Sequence, residues 1–194
     1  RMYGARQQSW TRWSPGVDPA AGGVVSRVLS DADAVCDLSS FGDCQAADLN
    51  HVDLAARDLE FVNLSKVNLA GANLAGADLT RVRMTSATLT GASLSGAQLD
   101  WANLSRATLI GSDLTGANLT YADMSRTNLT GANLAGADLT GADLTSARLA
   151  SVTWTGTTAD TDTRWPTGFR LTPAWWLITI VAAPTPLAPC VPAA

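Results

Sequence analysis

The sequence of 194 residues is poor in the side chains that most enzymes use for chemistry. It contains one histidine and three cysteines, and charged residues make up only 15% of it. No motif places a serine or cysteine nucleophile beside the single histidine, His51. No Cys/His spacing typical of a transition-metal site is present either. The sequence therefore predicts a protein that is not an enzyme and that uses no metal and no cofactor.

A basic surface and a framework of disulfides are also lacking. Thirteen Lys and Arg stand against 17 Asp and Glu, a net charge of −4 at pH 7. This balance does not fit the basic footprint of a protein that binds nucleic acid directly. Three cysteines do not suggest a disulfide framework: Cys36 and Cys44 are interpreted as small core residues, and Cys190 lies in a C-terminal tail. A reducing, cytoplasmic location is predicted.

The sequence also lacks a run of apolar residues long enough to cross a membrane. The apolar run at residues 174–183 has half of the roughly 20 residues that a transmembrane helix needs. It contains Trp175 and Trp176 and is bounded by Pro173 and Pro184. We expect it to form a cap at one end of the domain or a homodimer contact. A segment that lies on a membrane surface is the alternative.

What the sequence does contain is a five-residue repeat from Gly42 to Thr155. A leucine or a substitute occupies every fifth position, the centre i, from Cys44 to Trp154 without an insertion. Position i−2 is small and apolar, and i−1 is usually Asp or Asn. A period of five residues fits neither an α-helix nor a flat strand. Five residues turn an α-helix by about 500°, which scatters the centres around its axis, and in a flat strand successive centres would point to opposite faces. Because i−2 and i share a face of an extended segment, the chain keeps both inward only by turning after every unit.

The positions i+2 separate into four columns when residues twenty apart are grouped. Two columns are mostly glycine, one is rich in aromatic residues and one in basic residues. The aromatic column holds Phe61, Arg81, Trp101, Tyr121 and Gly141, and the basic column holds Ala46, Lys66, Ser86, Arg106, Arg126 and Ser146. Four units therefore form one coil with a square cross-section. The glycine corners are expected to need a positive φ, as in a type II turn.

The unit A-(D/N)-L-x-x closely resembles that of the pentapeptide-repeat family over roughly residues 36–156. The resemblance implies an all-β fold, a right-handed quadrilateral β-helix (a β-solenoid) with four pentapeptides per coil. Residues 1–35 would then be an N-terminal arm and cap, and residues 157–194 a C-terminal cap with a flexible Pro-rich tail. Residues 160–169 resemble the segment that often follows the last coil in this family, whose aromatic side chains would cover the open end.

Acidic residues collect on one side of the predicted square. Eleven carboxylates fall in residues 42–155, nine of them at i−1, where short polar side chains can bond the turn backbone and stack as ladders. The two acids that are not at i−1, Glu60 and Asp100, lie on the same side. We call this side the acidic face: Asp58, Glu60, Asp78, Asp100 and Asp138. It ends at an aromatic corner: Phe61, Trp101 and Tyr121. The next side ends at a basic corner: Lys66, Arg106 and Arg126. The exposed rings either form a contact surface or shield the edge of the stack.

The resemblance implies a binding protein. Some bacterial members of the family confer quinolone resistance, resemble DNA in shape and charge, and bind DNA gyrase. The acidic face predicts a DNA mimic that binds gyrase or another topoisomerase. Against this prediction, the net charge is small, most acids have a structural explanation, and the centres are leucine where that subgroup often has phenylalanine. The alternative is a rigid protein–protein interaction scaffold that uses the aromatic and basic corners and is unrelated to DNA.

Overall fold

The computed structural model describes residues 25–26, 35–36, 38–169 and 178–181. The described residues contain four short strands, in the order β1 (Val25–Ser26), β2 (Val35–Cys36), β3 (Thr157–Asp160) and β4 (Ile178–Val181). β1 pairs with β2 antiparallel, and β3 pairs with β4 in parallel. Between β2 and β3 the chain forms single paired residues separated by turns, because each extended segment is too short to count as a strand.

Backbone pairing between turns has a register of twenty residues. Asp43 pairs in parallel with Asn63, and the i−1 residues of all four columns pair in the same way. Each centre from Cys44 to Leu144 donates its N–H to a carbonyl of the following coil, as Leu99 does to Asn118 at 2.7 Å. The chain thus returns beside itself after four turns, in agreement with the predicted coil length. In the last pair, Asp143 with Arg164, the register is one residue longer.

The same turn follows every centre. The N–H of Ala102 donates to the carbonyl of Leu99 at 3.0 Å, and the residue between them at i+2, Trp101, has φ 59°. A positive φ at the third residue of such a turn alone is the type II pattern. The prediction for the glycine corners is confirmed, as at Gly96 with φ 66°. The aromatic and basic corners share this φ, because all four sides need the same turn.

The core is a column of centres and i−2 residues. The centres through the middle of the stack are fully buried, and the alanines at i−2 fill the space between them. Two i−2 residues are polar and buried. The hydroxyl of Ser112 donates to the carbonyl of Leu109 at 2.9 Å, and that of Thr127 to Met124 at 2.6 Å. No buried side-chain nitrogen or oxygen in the described part of the chain lacks a hydrogen-bond partner.

A disulfide joins β2 to the first coil. Cys36 and Cys44 are buried, but their sulfur atoms are bonded, with an S–S distance of 2.05 Å. The prediction that three cysteines form no disulfide is therefore wrong. Cys36 belongs to β2, outside the five-residue register, so the repeat did not show that its Cα lies 4.3 Å from that of Cys44.

The C-terminal end of the stack continues past Trp154. β3 extends the pairing with the preceding coil, and its Ala159 is fully buried. The ring of Trp165 packs edge-on against Trp154 at 5.8 Å and stacks on Phe169 at 4.9 Å. Backbone pairing with β4 adds one further segment beside β3.

Trp175 and Trp176, predicted as a cap or dimer contact, lie outside the described residues.

Candidate binding surfaces

The acidic face is built on one row of paired i−1 residues. The row runs through Asp58, Asp78, Gln98, Asn118 and Asp138. Oδ1 of each of its three aspartates accepts the backbone N–H two residues further on, at 3.1, 3.0 and 2.9 Å. One carboxylate oxygen of each residue thus holds its turn, as predicted for the i−1 position. The uncharged Gln98 and Asn118 separate Asp78 from Asp138.

Two more carboxylates lie beside this row, at the i+1 position. Oδ1 of Asp100 accepts the hydroxyl of Thr80 from the preceding coil at 3.0 Å. Glu60 is half-buried and follows Asp58 by two residues. Within the described residues none of the five carboxylates forms an ion pair. The five acids therefore lie on one side, and none of them is engaged in an ion pair with a described residue.

The aromatic corner begins one coil earlier than the sequence analysis placed it. Phe41 stacks on Phe61 with ring centroids 4.7 Å apart, and Trp101 stacks on Tyr121 at 4.6 Å. The guanidinium of Arg81 lies over Phe61, 5.6 Å from its centroid. Phe41 was missed because its unit precedes the first recognised centre, although its distance of twenty residues from Phe61 was the available signal.

The stacked rings remain open to solvent on their outer side. Phe41 is 75% exposed, Trp101 56% and Tyr121 48%. The ring of Tyr121 also leans over Gly141, where an added Cβ would lie 2.5 Å from it. The ring of Tyr121 thus covers the backbone at Gly141, and the outer sides of the rings remain an exposed apolar surface.

The basic corner has no such stacking. Lys66, Arg106 and Arg126 are exposed, and their side chains form no ion pair, hydrogen bond or ring contact with any described residue. Beside Arg106 and Arg126 lies an open depression of about 500 Å³. Arg164 and Asp143 also line it and form a salt bridge of 3.6 Å.

Asp143, which lines this depression, has a lowered pKa. Partial burial acts to raise its pKa, but hydrogen bonds from Thr145 and the charge of Arg164 outweigh it. The pKa of Asp143 therefore lies below its ordinary value, and the carboxylate stays ionised at neutral pH.

Asp160 is a structural anchor. The sequence offers it with Asp162 as an isolated D-x-D pair, without the glycine or glutamate that would complete a calcium loop. In the structure Oδ1 of Asp160 accepts the N–H of Gly141 and the N–H and hydroxyl of Thr163, each at 2.9 Å. Partial burial acts to raise the pKa of Asp160, but these hydrogen bonds outweigh it and hold the pKa below its ordinary value.

Among the described residues, no group of three or more His, Cys, Asp or Glu is placed to hold a metal ion. That part of the chain also contains no helix with the length and apolar character needed to cross a membrane.

Comparison with known proteins identifies the family. The family model for pentapeptide repeats matches eight copies, in overlapping segments at residues 47–85, 58–96, 83–120, 97–136 and 122–153. These segments span more than half of the chain, so the chain belongs to the pentapeptide-repeat family. A search of curated proteins finds no match.

Several solved structures are similar to this chain. A trypsin-treated variant of QnrB1, a plasmid-mediated fluoroquinolone resistance protein, has a TM-score of 0.53 at 14% identity, covering 74% of this chain and 85% of that one. A pentapeptide repeat protein, Rfr23, from the cyanobacterium Cyanothece 51142 has a TM-score of 0.44 at 29% identity, covering 63% and 90%. One from the Arabidopsis thaliana thylakoid lumen has a TM-score of 0.40 at 33% identity, covering 50% and 65%. At its low identity, the likeness to QnrB1 concerns the fold alone.

Proposed function

We propose that this pentapeptide-repeat chain is a non-enzymatic binding protein whose acidic face docks on a basic surface of a partner protein. The observation that carries the proposal is the presence of five carboxylates on one side with no ion-pair partner among the described residues. Fields from such a row of like charges attract an oppositely charged surface and speed its association.

The partner that fits best is a protein surface that normally binds DNA, with DNA gyrase the first to test. Successive coils lie roughly 4.8 Å apart, so stacked carboxylates present negative charge along a narrow rod, as duplex phosphates do. The right-handed, four-sided β-helix implied by the resemblance is part of this proposal. The cytoplasmic location also remains a prediction, and the Cys36–Cys44 disulfide speaks against it, since such bonds are typical of oxidising compartments.

The experiment is a gyrase supercoiling assay with the purified protein titrated in, with and without a quinolone, at two salt concentrations. We expect inhibition or protection that weakens at high salt. Replacing Asp78 and Asp100 by Lys should abolish the effect. Asp53→Lys with Asp113→Lys is the control of equal charge change, because these aspartates lie on a glycine-cornered side. Oδ1 of each holds a turn, as Oδ1 of Asp78 does.

The results separate the acidic face from general charge effects. An equal loss in both double variants, with circular dichroism unchanged, would show that net charge matters and the acidic face does not. No effect of the wild-type protein at high excess would remove gyrase as the partner.

A protein–protein scaffold unrelated to DNA is the second candidate. The exposed stack of Trp101 and Tyr121 favours it, because large exposed rings are common at the centres of protein interfaces. In that case partner binding should depend little on salt and should be lost in Trp101→Ala. The Asp78→Lys, Asp100→Lys variant should then bind as the wild type does.

A further inference from the structure

The basic corner carries long side chains on backbone that favours glycine. Arg106 has φ 60° and Arg126 has φ 58°, in the left-handed region that costs most L-residues about 1 kcal/mol or more. At the aromatic corner, ring stacking offsets this cost. Neither arginine has a comparable contact with any described residue. Ser86 and Ser146 of the same corner have the same φ, so the strain belongs to the turn. What distinguishes the two arginines is a long, exposed cationic side chain that the fold does not use.

The two guanidinium groups border the depression of about 500 Å³ and lie one coil apart. Two guanidinium groups on successive coils suit a tetrahedral oxyanion, which guanidinium groups bind through paired hydrogen bonds. Ser125 and Ser146 line the same depression, and no hydrogen bond to another described residue uses their hydroxyl groups.

The acids in the depression do not cancel this charge. Asp143 is neutralised by its salt bridge to Arg164. Asp123 uses Oδ1 to accept the N–H of Ser125 at 2.9 Å and has no cation partner among the described residues. Two unpaired guanidinium groups therefore stand against one unpaired carboxylate.

We propose that Arg106 and Arg126 form a binding site for phosphate or sulfate groups carried by a polymer. The coil spacing places successive basic residues along the rod, so a linear polyanion can run parallel to the axis. This site is independent of the acidic face, which lies on the neighbouring side of the coil, and does not rest on the function proposed for that face.

The experiment measures binding of the full chain to three polymers by isothermal titration calorimetry at low salt. Heparin supplies sulfate groups, inorganic polyphosphate supplies phosphate groups, and polyglutamate supplies carboxylates at comparable charge. We expect binding to heparin, to polyphosphate, or to both, and at least tenfold weaker binding to polyglutamate. The polymer that binds identifies the source of the oxyanion.

Variants test the residues. Arg106→Gln with Arg126→Gln should weaken binding about tenfold or more, whereas Arg148→Gln, an exposed arginine on another side, should not. Asp123→Asn should strengthen binding, because it removes the one opposing charge. Arg126→Gly should weaken binding without lowering the midpoint of thermal unfolding, since glycine adopts this φ freely.

Three results would overturn the proposal. Equal affinity for polyglutamate would show attraction to charge without preference for oxyanions, and absence of binding to both oxyanion polymers would show that no such site exists. Equal losses in Arg148→Gln and in the double variant would show that the site lies elsewhere. A lower unfolding midpoint in Arg126→Gly would assign this arginine to the fold.

Discussion

Two glycines with the same backbone conformation should respond differently to alanine. Gly141 has φ 67° and Gly96 has φ 66°. A Cβ at Gly141 would lie 2.5 Å from carbon atoms of the Tyr121 ring, whereas a Cβ at Gly96 would meet no atom within 4 Å. The comparison therefore isolates the contact between coils from the backbone strain.

The backbone strain and the contact between coils give the expected loss in the free energy of unfolding for each variant. A left-handed alanine costs about 1–2 kcal/mol, and the reduced freedom of the unfolded chain returns about 0.4–1 kcal/mol. Gly96→Ala should therefore lower the free energy of unfolding by about 1 kcal/mol. Gly141→Ala must also displace Tyr121 from its stack with Trp101, which adds about 0.5–1.5 kcal/mol. We expect a total loss of about 2 kcal/mol.

The assay is urea denaturation followed by far-UV circular dichroism, with near-UV circular dichroism as a signal for the Trp101–Tyr121 stack. Gly141→Ala should alter the near-UV signal and Gly96→Ala should not. In a Tyr121→Ala background, Gly141→Ala should lower the free energy of unfolding no more than Gly96→Ala does. The double-mutant cycle between Tyr121 and Gly141 should therefore give a coupling energy of about 1 kcal/mol. Equal losses at both glycines with Tyr121 in place would refute the argument.

Three further predictions concern the core and the two ends. Leu99→Ala should lower the free energy of unfolding by about 3 kcal/mol, because this centre is fully buried, whereas Leu99→Met should cost less than about 1.5 kcal/mol in the same urea titration. Reduction of the Cys36–Cys44 disulfide should destabilise the N-terminal end by about 2–3 kcal/mol, measured as faster amide hydrogen exchange in the first coil than in the middle of the stack. The depressed pKa of Asp160 stabilises the folded state above the ordinary aspartate pKa of about 3.9, and this contribution is lost as the pH falls through the lower folded value. Asp160→Asn should thus flatten the loss of stability below about pH 4 in acid titrations, and an unchanged profile would contradict the anchor role.

The proposed surfaces were predictable from the sequence to different degrees. Residues twenty apart were correctly grouped, so the acids of one side and the rings of one corner lie together in the structure. Phe41 was missed because the unit containing it lacks a recognisable centre. The stacking geometry of the rings and the lack of ion pairs at Arg106 and Arg126 depend on side-chain positions, which cannot be read from the sequence.

The period, the inward positions and the coil length all follow from the order of the amino acids alone. They do so because these features depend on local rules: i−2 and i share a face, a turn must follow, and like residues recur at the coil length. Contacts between separate segments were decided only by the tertiary structure. They include the Cys36–Cys44 disulfide, the hydrogen bond from Gly141 to Asp160, and the extension of pairing into β3 and β4. Each involves a segment before or after the five-residue repeat, so the register of the repeat does not predict its position.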